Sequence, residues 1–200
     1  MPTPTAKMEL EYIKQGIATV AGLDEAGKGA WAGPVVAGAV ILPENVKLPG
    51  LNDSKLVTAK NRERLYEAII EQAVAWGVGI QDAFTVDEVG LAQAHRLAMQ
   101  QAVEALSVRP DLLLVDGVGI KQLGVKAICI IKGDQKVRCI AAASIIAKVT
   151  RDRLMREWHE QFPQYGFAEH KGYGTAEHQA AIMRHGVCDL HRLSYEPVYL

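Results

Sequence analysis

Gly22-Leu23-Asp24-Glu25-Ala26-Gly27-Lys28-Gly29, running on through Ala30-Trp31-Ala32-Gly33-Pro34 into Val35-Val36, is the stretch on which the fold turns. Gly22, Gly27 and Lys28 stand at the GxxxxGK spacing of a phosphate-binding P-loop. That motif also needs Ser or Thr after the lysine to hold Mg²⁺, and a helix starting there to aim backbone N–H groups at phosphates. Here Gly29 follows the lysine, and Pro34 with β-branched Val35, Val36, Val40 and Ile41 argues for a second strand. Asp24 and Glu25 would moreover repel a nucleotide's phosphates unless a cation stood between them. The stretch therefore reads as a hairpin, residues 17–23 against 35–42, with two carboxylates where the first strand ends.

Working outward, residues 43–54 form a turn-rich loop, and Thr58 is a plausible N-cap for a helix carrying Leu65, Ile69, Ile70, Ala73 and Val74 at helical spacing. A short strand at 76–80 precedes one helix over 86–106, which Pro110 ends. Residues 112–115 and 125–131 are apolar strand runs. Residues 140–158, rich in alanine and free of Gly and Pro, predict a long helix that Pro163 stops. Residues 165–175 read as loop and 176–184 as a short helix. Strands mixed with helices, opened by a hairpin, predict an α/β or α+β sheet with helices packed on it. The expected organisation is a flexible start (1–16), a main domain (17–160) and a C-terminal helical extension (161–200).

Two hundred residues, 49% of them hydrophobic, suffice for one domain with a sizeable core. Lys plus Arg number 22 against 23 Asp plus Glu, so no global basic charge announces a polyanion partner. The distribution is uneven: residues 1–120 hold 10 basic and 15 acidic side chains, and 121–200 hold 12 and 8. Cys129, Cys139 and Cys188 lack CxxC spacing, which suits a reducing compartment. With no apolar window near the ~20 residues of a membrane span and no signal-like start, a cytoplasmic protein is expected.

Three apolar runs end in acids: 20–23 in Asp24-Glu25, 112–115 in Asp116, and 128–131 in Lys132-Gly133-Asp134. Carboxylates at adjoining strand ends can converge, and without a cation each close pair costs about 1–4 kcal/mol depending on the surroundings. Hard divalent cations resolve the conflict. Mg²⁺ or Mn²⁺ takes oxygen ligands, and two such ions can activate a water and stabilise the leaving oxygen of a phosphodiester displacement. Zinc is disfavoured, because no histidine pairs with these acids at a ligand spacing, and Pro163 stands where an HExxH motif begun at His159-Glu160 needs its second histidine.

Asp24-Glu25-Ala-Gly-Lys-Gly, Ala32-Gly33-Pro34-Val35-Val36, Leu51-Asn52-Asp53-Ser54-Lys55, Leu114-Val115-Asp116-Gly117, Lys132-Gly133-Asp134, the run from Ala141 to Arg153, and Tyr165-Gly-Phe-Ala-Glu-His170-Lys171-Gly172-Tyr173-Gly174-Thr175 occur in an order that resembles bacterial ribonuclease HII across residues 18–197. The resemblance implies a ribonuclease H-like mixed sheet flanked by helices with a small C-terminal helical extension. It implies Mg²⁺- or Mn²⁺-dependent cleavage of RNA in RNA–DNA hybrids, and incision 5′ of a lone ribonucleotide in duplex DNA. Asp24, Glu25, Asp116 and Asp134 would bind two metal ions, with Asp24 bridging them, and cleavage would leave 5′-phosphate and 3′-OH ends. Gly27-Lys28-Gly29 would feel the 2′-OH and Tyr173 would stack on the following deoxyribose, with Ser144 also at the substrate.

Chemistry supports these roles: only the 2′-OH marks a ribonucleotide, and glycines let backbone groups approach it. Lys55, Lys148, Arg151 and Lys171 are candidates to hold phosphates without reading sequence. Lys28 departs from the family's commoner arginine, so a forked contact would become a point charge. Asp-Ser-Lys-Leu also lacks one lysine of the usual block, and the long N-terminal domain typical of ribonuclease HIII is missing. Asp152 reads as an ion-pairing residue of the long helix, and His170, His178, His185 and His191 lack mutual ligand spacing. The expected partner is nucleic acid, with no membrane and a monomeric chain, and residues 196–200 hold no convincing clamp-binding peptide. A non-catalytic hybrid-binding module would keep the basic loops but would not need four acids.

Overall fold

Alternation along the hairpin strands decides which residues meet which helix. In the computed structural model, which describes residues 3–119, 122–195 and 198, β1 (Val20–Ala26) pairs antiparallel with β2 (Val35–Ile41), and β2 with β3 (Ala75–Gln81). On its other side β1 runs parallel to β4 (Leu112–Asp116), and β4 parallel to β5 (Ala127–Ile130), giving the order β3-β2-β1-β4-β5. This is the mixed sheet flanked by helices that the sequence predicts. No helix follows Lys28, and the chain passes through Pro34 into β2.

One face of the sheet is covered by the helix here called α5 (Arg138–Gln161), the other by α4 (Leu91–Glu104). Val20, Leu112 and Leu114 pack with Cys139 and Ile140 of α5, whereas Ala21, Leu23, Leu113 and Val115 pack with Ala94, Ala98 and Met99 of α4. Each such buried aliphatic side chain contributes about 1.5–3 kcal/mol relative to exposure. α5 lies directly on the strands because Gly22 and Gly38 face it. A Cβ on Gly22 would stand 2.2 Å from the Cys139 carbonyl carbon, and one on Gly38 would stand 2.5 Å from the Ala143 oxygen.

Several expectations shift. The start, read as flexible, contains α1 (Lys7–Lys14), whose Met8, Tyr12 and Ile13 pack beside Val20 and whose buried Glu9 accepts a hydrogen bond from Cys139 N at 2.9 Å. α2 (Ala59–Gln72) begins at the Thr58 cap as predicted. The expected single helix over 86–106 is two, α3 (Ala83–Val89) and α4, because Gly90 takes φ +80° between them. A 3₁₀ turn at Pro163–Tyr165 leads into the stretch expected as loop, 165–175, which holds one helical turn, α6 (Phe167–His170), before α7 (Ala176–His185). β1 also extends through Asp24 and Glu25 instead of ending before them. Among the described residues no helix is long and apolar enough to cross a membrane.

Candidate active site

Because Asp24 and Glu25 are consecutive within β1, they leave the sheet on opposite faces. Asp24 shares the α5 face with Gly22. The parallel register sets Leu23 beside Val115, so the next residues, Asp24 and Asp116, stand abreast at the strands' C-terminal ends. Asp134 arrives from the 3₁₀ turn Gly133–Gln135 after β5. Asp116 Oδ1 accepts from Gly133 N at 2.6 Å, which ties that turn to β4.

Burial pushes the Asp24 carboxyl well above the usual carboxylate range, and the charges of Glu25, Asp116 and Asp134 push it further. Asp134 is pushed up to about 6, by burial first and then by Asp53 and Asp116. Among the described residues no three metal-binding side chains stand as a ready cage. Each acid is engaged elsewhere: Asp24 Oδ1 accepts from Glu25 N at 2.7 Å, Asp116 from Gly133 N, and Asp134 shares a hydrogen bond with Asp53. A buried acid in the field of three others is nonetheless the setting that a hard divalent cation relieves, and oxygen donors suit Mg²⁺ or Mn²⁺.

Asp53 had no role in the sequence reading. It is buried in the Leu51–Lys55 loop, accepts from Lys55 N at 2.9 Å and from Gln135 Nε2 at 3.2 Å, and thereby joins that loop to the Asp134 turn. Its signal was present in the Asn-Asp-Ser-Lys block, which was read for its lysine alone.

Glu25 faces α4. Lys28 Nζ lies 2.6 Å from its Oε1 and His95 Nε2 lies 3.2 Å from its Oε2. Burial alone would raise the Glu25 pKa, but His95 and then Lys28 outweigh it and hold the carboxylate below its ordinary value. His95 also escaped the sequence reading, since a lone histidine on a helix carries no motif.

A groove of about 410 Å³ brings the predicted substrate residues together: Gly27, Lys28, Gly29, Lys55, Lys148 and Tyr173 line it with Glu25 and Ser54. Burial disfavours the Lys55 ammonium, yet Asp53, Asp24 and Asp134 hold its pKa above the ordinary lysine value. Lys148 Nζ sits 5.4 Å from the Tyr173 ring centre and 2.7 Å from Asp152, which pairs as expected.

Three predicted contacts fall outside the groove. Ser144 is 2% exposed and donates to Ala141 O within α5, so a helix interior rather than a substrate surrounds it. Lys171 turns its ammonium onto the carbonyl of Ala168. Arg151 is fully buried: Nε donates to Pro34 O at 2.9 Å and Nη2 to Ala32 O at 3.0 Å. It holds the 27–34 loop, not a phosphate. From the C-terminal segment Arg192, equally buried, donates to the carbonyls of Gly33 and Lys28, and Tyr195 Oη adds a bond to Lys28 O at 2.6 Å.

Tyr173 is pinned from behind by two buried histidines. Cys188 N donates to His191 Nδ1 at 2.9 Å, so His191 Nε2 carries the proton that meets His178 Nε2 at 3.1 Å. His178 Nδ1–H then donates to Tyr173 O at 3.0 Å. This chain requires neutral rings, and burial lowers the His178 pKa to about 4, against 6.5 unfolded. A depressed histidine pKa gives stability that is full above pH 6.5 and lost as pH falls towards 4, by about 3 kcal/mol in total. Melting curves between pH 7 and 4.5 should therefore fall more steeply for the wild type than for His178→Gln, and parallel slopes would contradict the neutral relay.

The family model for ribonuclease HII matches residues 21–198. Ribonuclease HII of Geotalea uraniireducens is 51% identical over 193 residues, covering 96% of this chain and 89% of the relative. That of Acetivibrio thermocellus is 49% identical over 187 residues, covering 94% and 73%. Among solved structures, the ribonuclease H2 of Pyrococcus horikoshii superposes with a TM-score of 0.77 at 27% identity, covering 90% of this chain and 95% of that one. With its mixed sheet, its acids at the ends of β1 and β4 and these relatives, the chain belongs to the ribonuclease HII family and is a ribonuclease H enzyme.

Proposed function

We propose that this enzyme hydrolyses the RNA strand of RNA–DNA hybrids and incises on the 5′ side of single ribonucleotides in duplex DNA, leaving 5′-phosphate and 3′-OH ends. The observation that carries the reading is the shared groove. The Gly27–Gly29 turn, the Tyr173 ring and Glu25 line one cavity beside the Asp24–Asp116 pair.

Asp24, Glu25, Asp116 and Asp134 are the residues that would hold two Mg²⁺ or Mn²⁺ ions. When bound, such ions supply activation of a water and stabilisation of the leaving oxygen. The chain's own groups do the positioning. Lys28 and His95 keep Glu25 ionised; Lys55 and Lys148 offer ammonium groups to the backbone phosphates. The turn at 27–29 meets the 2′-OH with main-chain atoms, and its back is fixed because Arg192 and Tyr195 already engage the Lys28 carbonyl. The Tyr173 ring packs against the next sugar, where deoxyribose fits and a hydroxyl crowds. Residues 161–200, which carry Tyr173, act as the substrate-binding extension of a cytoplasmic, monomeric enzyme.

The test is cleavage of duplexes carrying one, four or many ribonucleotides and of an all-DNA control, with Mg²⁺, Mn²⁺ or chelator. Cutting 5′ of the lone ribonucleotide, an intact control and arrest by chelator are expected. Cleavage confined to long hybrids would remove the junction reading, and metal-independent cleavage would remove the site assignment.

A further inference from the structure

Behind Glu25, on the α4 side of the sheet edge, lies a second cavity of about 250 Å³ lined by Lys28, Ala92, His95, Arg96, Asp116 and the Gly117–Gly119 turn. Lys28 belongs to both cavities and the Glu25 carboxylate stands between them, held by Lys28 on one oxygen and His95 on the other. We propose that this cavity is a phosphate subsite, in which Arg96, aided by Lys28, takes a phosphate of the cleaved strand adjacent to the scissile one. The inference rests on the hydrolytic reading above and extends it to a residue with no assigned role.

Three observations carry it. First, Arg96 has no ion-paired carboxylate among the described residues: Nε donates to Gln93 Oε1 at 3.1 Å and Nη1 to Gln100 Oε1 at 3.4 Å. Two neutral amides orient the guanidinium without cancelling its charge, and a guanidinium presents a planar fork suited to phosphate oxygens. Second, the negative wall is already offset, since Lys28 and His95 both face Glu25, and Asp116 is among the acids that a divalent cation would neutralise. Third, the cavity shares Asp116 with the acidic site and Lys28 with the groove, so a strand lying on the acids leads into it. Gly117 and Gly119, both at positive φ and with no atom of the described residues within 4 Å on the Cβ side, leave the far wall low.

The experiment is steady-state cleavage of a single-ribonucleotide duplex by wild type, Arg96→Ala and Arg96→Lys, across a salt series. It is repeated with a neutral methylphosphonate placed in turn at each phosphate flanking the cut. For Arg96→Ala, KM should rise roughly tenfold with kcat nearly unchanged, as expected for one lost charge-assisted contact, and the slope of log KM against log salt should fall by about one contact. Arg96→Lys should recover part of the KM. At one methylphosphonate position the wild type should lose the same factor while Arg96→Ala loses nothing further. An unchanged KM and salt slope for Arg96→Ala, or additive losses at every position, overturns the subsite. A wild type that fails to cut the unmodified duplex instead overturns the hydrolytic reading itself. Far-UV spectra and melting of Arg96→Ala should match wild type, because its partners are two neutral side chains of its own helix, the exposed Gln93 and the half-buried Gln100.

Discussion

Asp24→Asn is expected to lose metal-dependent cleavage by about 10²- to 10³-fold or more, and at the same time to melt a few degrees above the wild type in metal-free buffer. Both effects follow from one placement. Asp24 is 6% exposed, and the charges of Glu25, Asp116 and Asp134 act on it. Its folded pKa lies above the unfolded one, so its contribution is favourable at low pH and turns unfavourable as pH rises through the ordinary carboxylate range. At pH 7 the native state bears the cost of burying an acid whose charged form both its burial and its acidic neighbours disfavour. Asparagine has the same shape and can still accept from Glu25 N, but it brings no charge. Adding Mn²⁺ should raise the melting temperature of the wild type, since a ligand that binds only the folded state stabilises it, and should do so far less for the variant. Retained activity, or equal stabilisation of both proteins by Mn²⁺, would remove Asp24 from the metal site.

Arg151→Met is expected to lower stability by about 4 kcal/mol, near 10 °C in melting temperature at this size. The methionine fills part of the space but leaves the carbonyls of Ala32 and Pro34 buried without donors, each costing about 1–3 kcal/mol. Arg151→Lys should recover only part, because a point charge cannot serve two carbonyls as a fork does. The contrast is with Arg153 and Arg156, which pair with Glu63 and Glu67 on the surface. Their removal should cost well under 1 kcal/mol each. Calorimetry of the three variants checks the ordering, and equal losses would mean that the interior guanidinium is not what holds the loop.

The sheet was legible because its strands are written in β-branched and leucine runs, and because Pro34 and Gly29 rule out a helix after Lys28. What local pattern could not convey was register. Asp24 and Glu25 looked like the end of a strand, whereas they continue it, and only the extra pairing with Ala37 and Gly38 shows that they face opposite sides. Arg151 and Arg192 were invisible for a related reason. A basic side chain reads as surface charge until the tertiary fold supplies carbonyls to receive it, and here those carbonyls lie more than a hundred residues away. The α1 helix was missed because its apolar residues, Met8, Tyr12 and Ile13, are too few to outweigh a polar composition, though they fall on one helical face. Gly90 could have divided α3 from α4, since a glycine inside a helical pattern lowers the likelihood of continuity. Lys171 and Ser144 sit in the right blocks, but Ser144 faces the interior and Lys171 folds back onto the carbonyl of Ala168, and block membership says nothing about orientation.

The bonds from Arg192 to Gly33 and Lys28 join positions 159 and 164 residues apart. During synthesis the hairpin and its neighbouring strands emerge long before Arg192 does, so a nascent chain could complete its sheet while the turn at 27–29 still lacks its rear support. Nuclease competence should then be the last property acquired on the ribosome, and fragments released early would be folded in their strands yet harmless to nucleic acid.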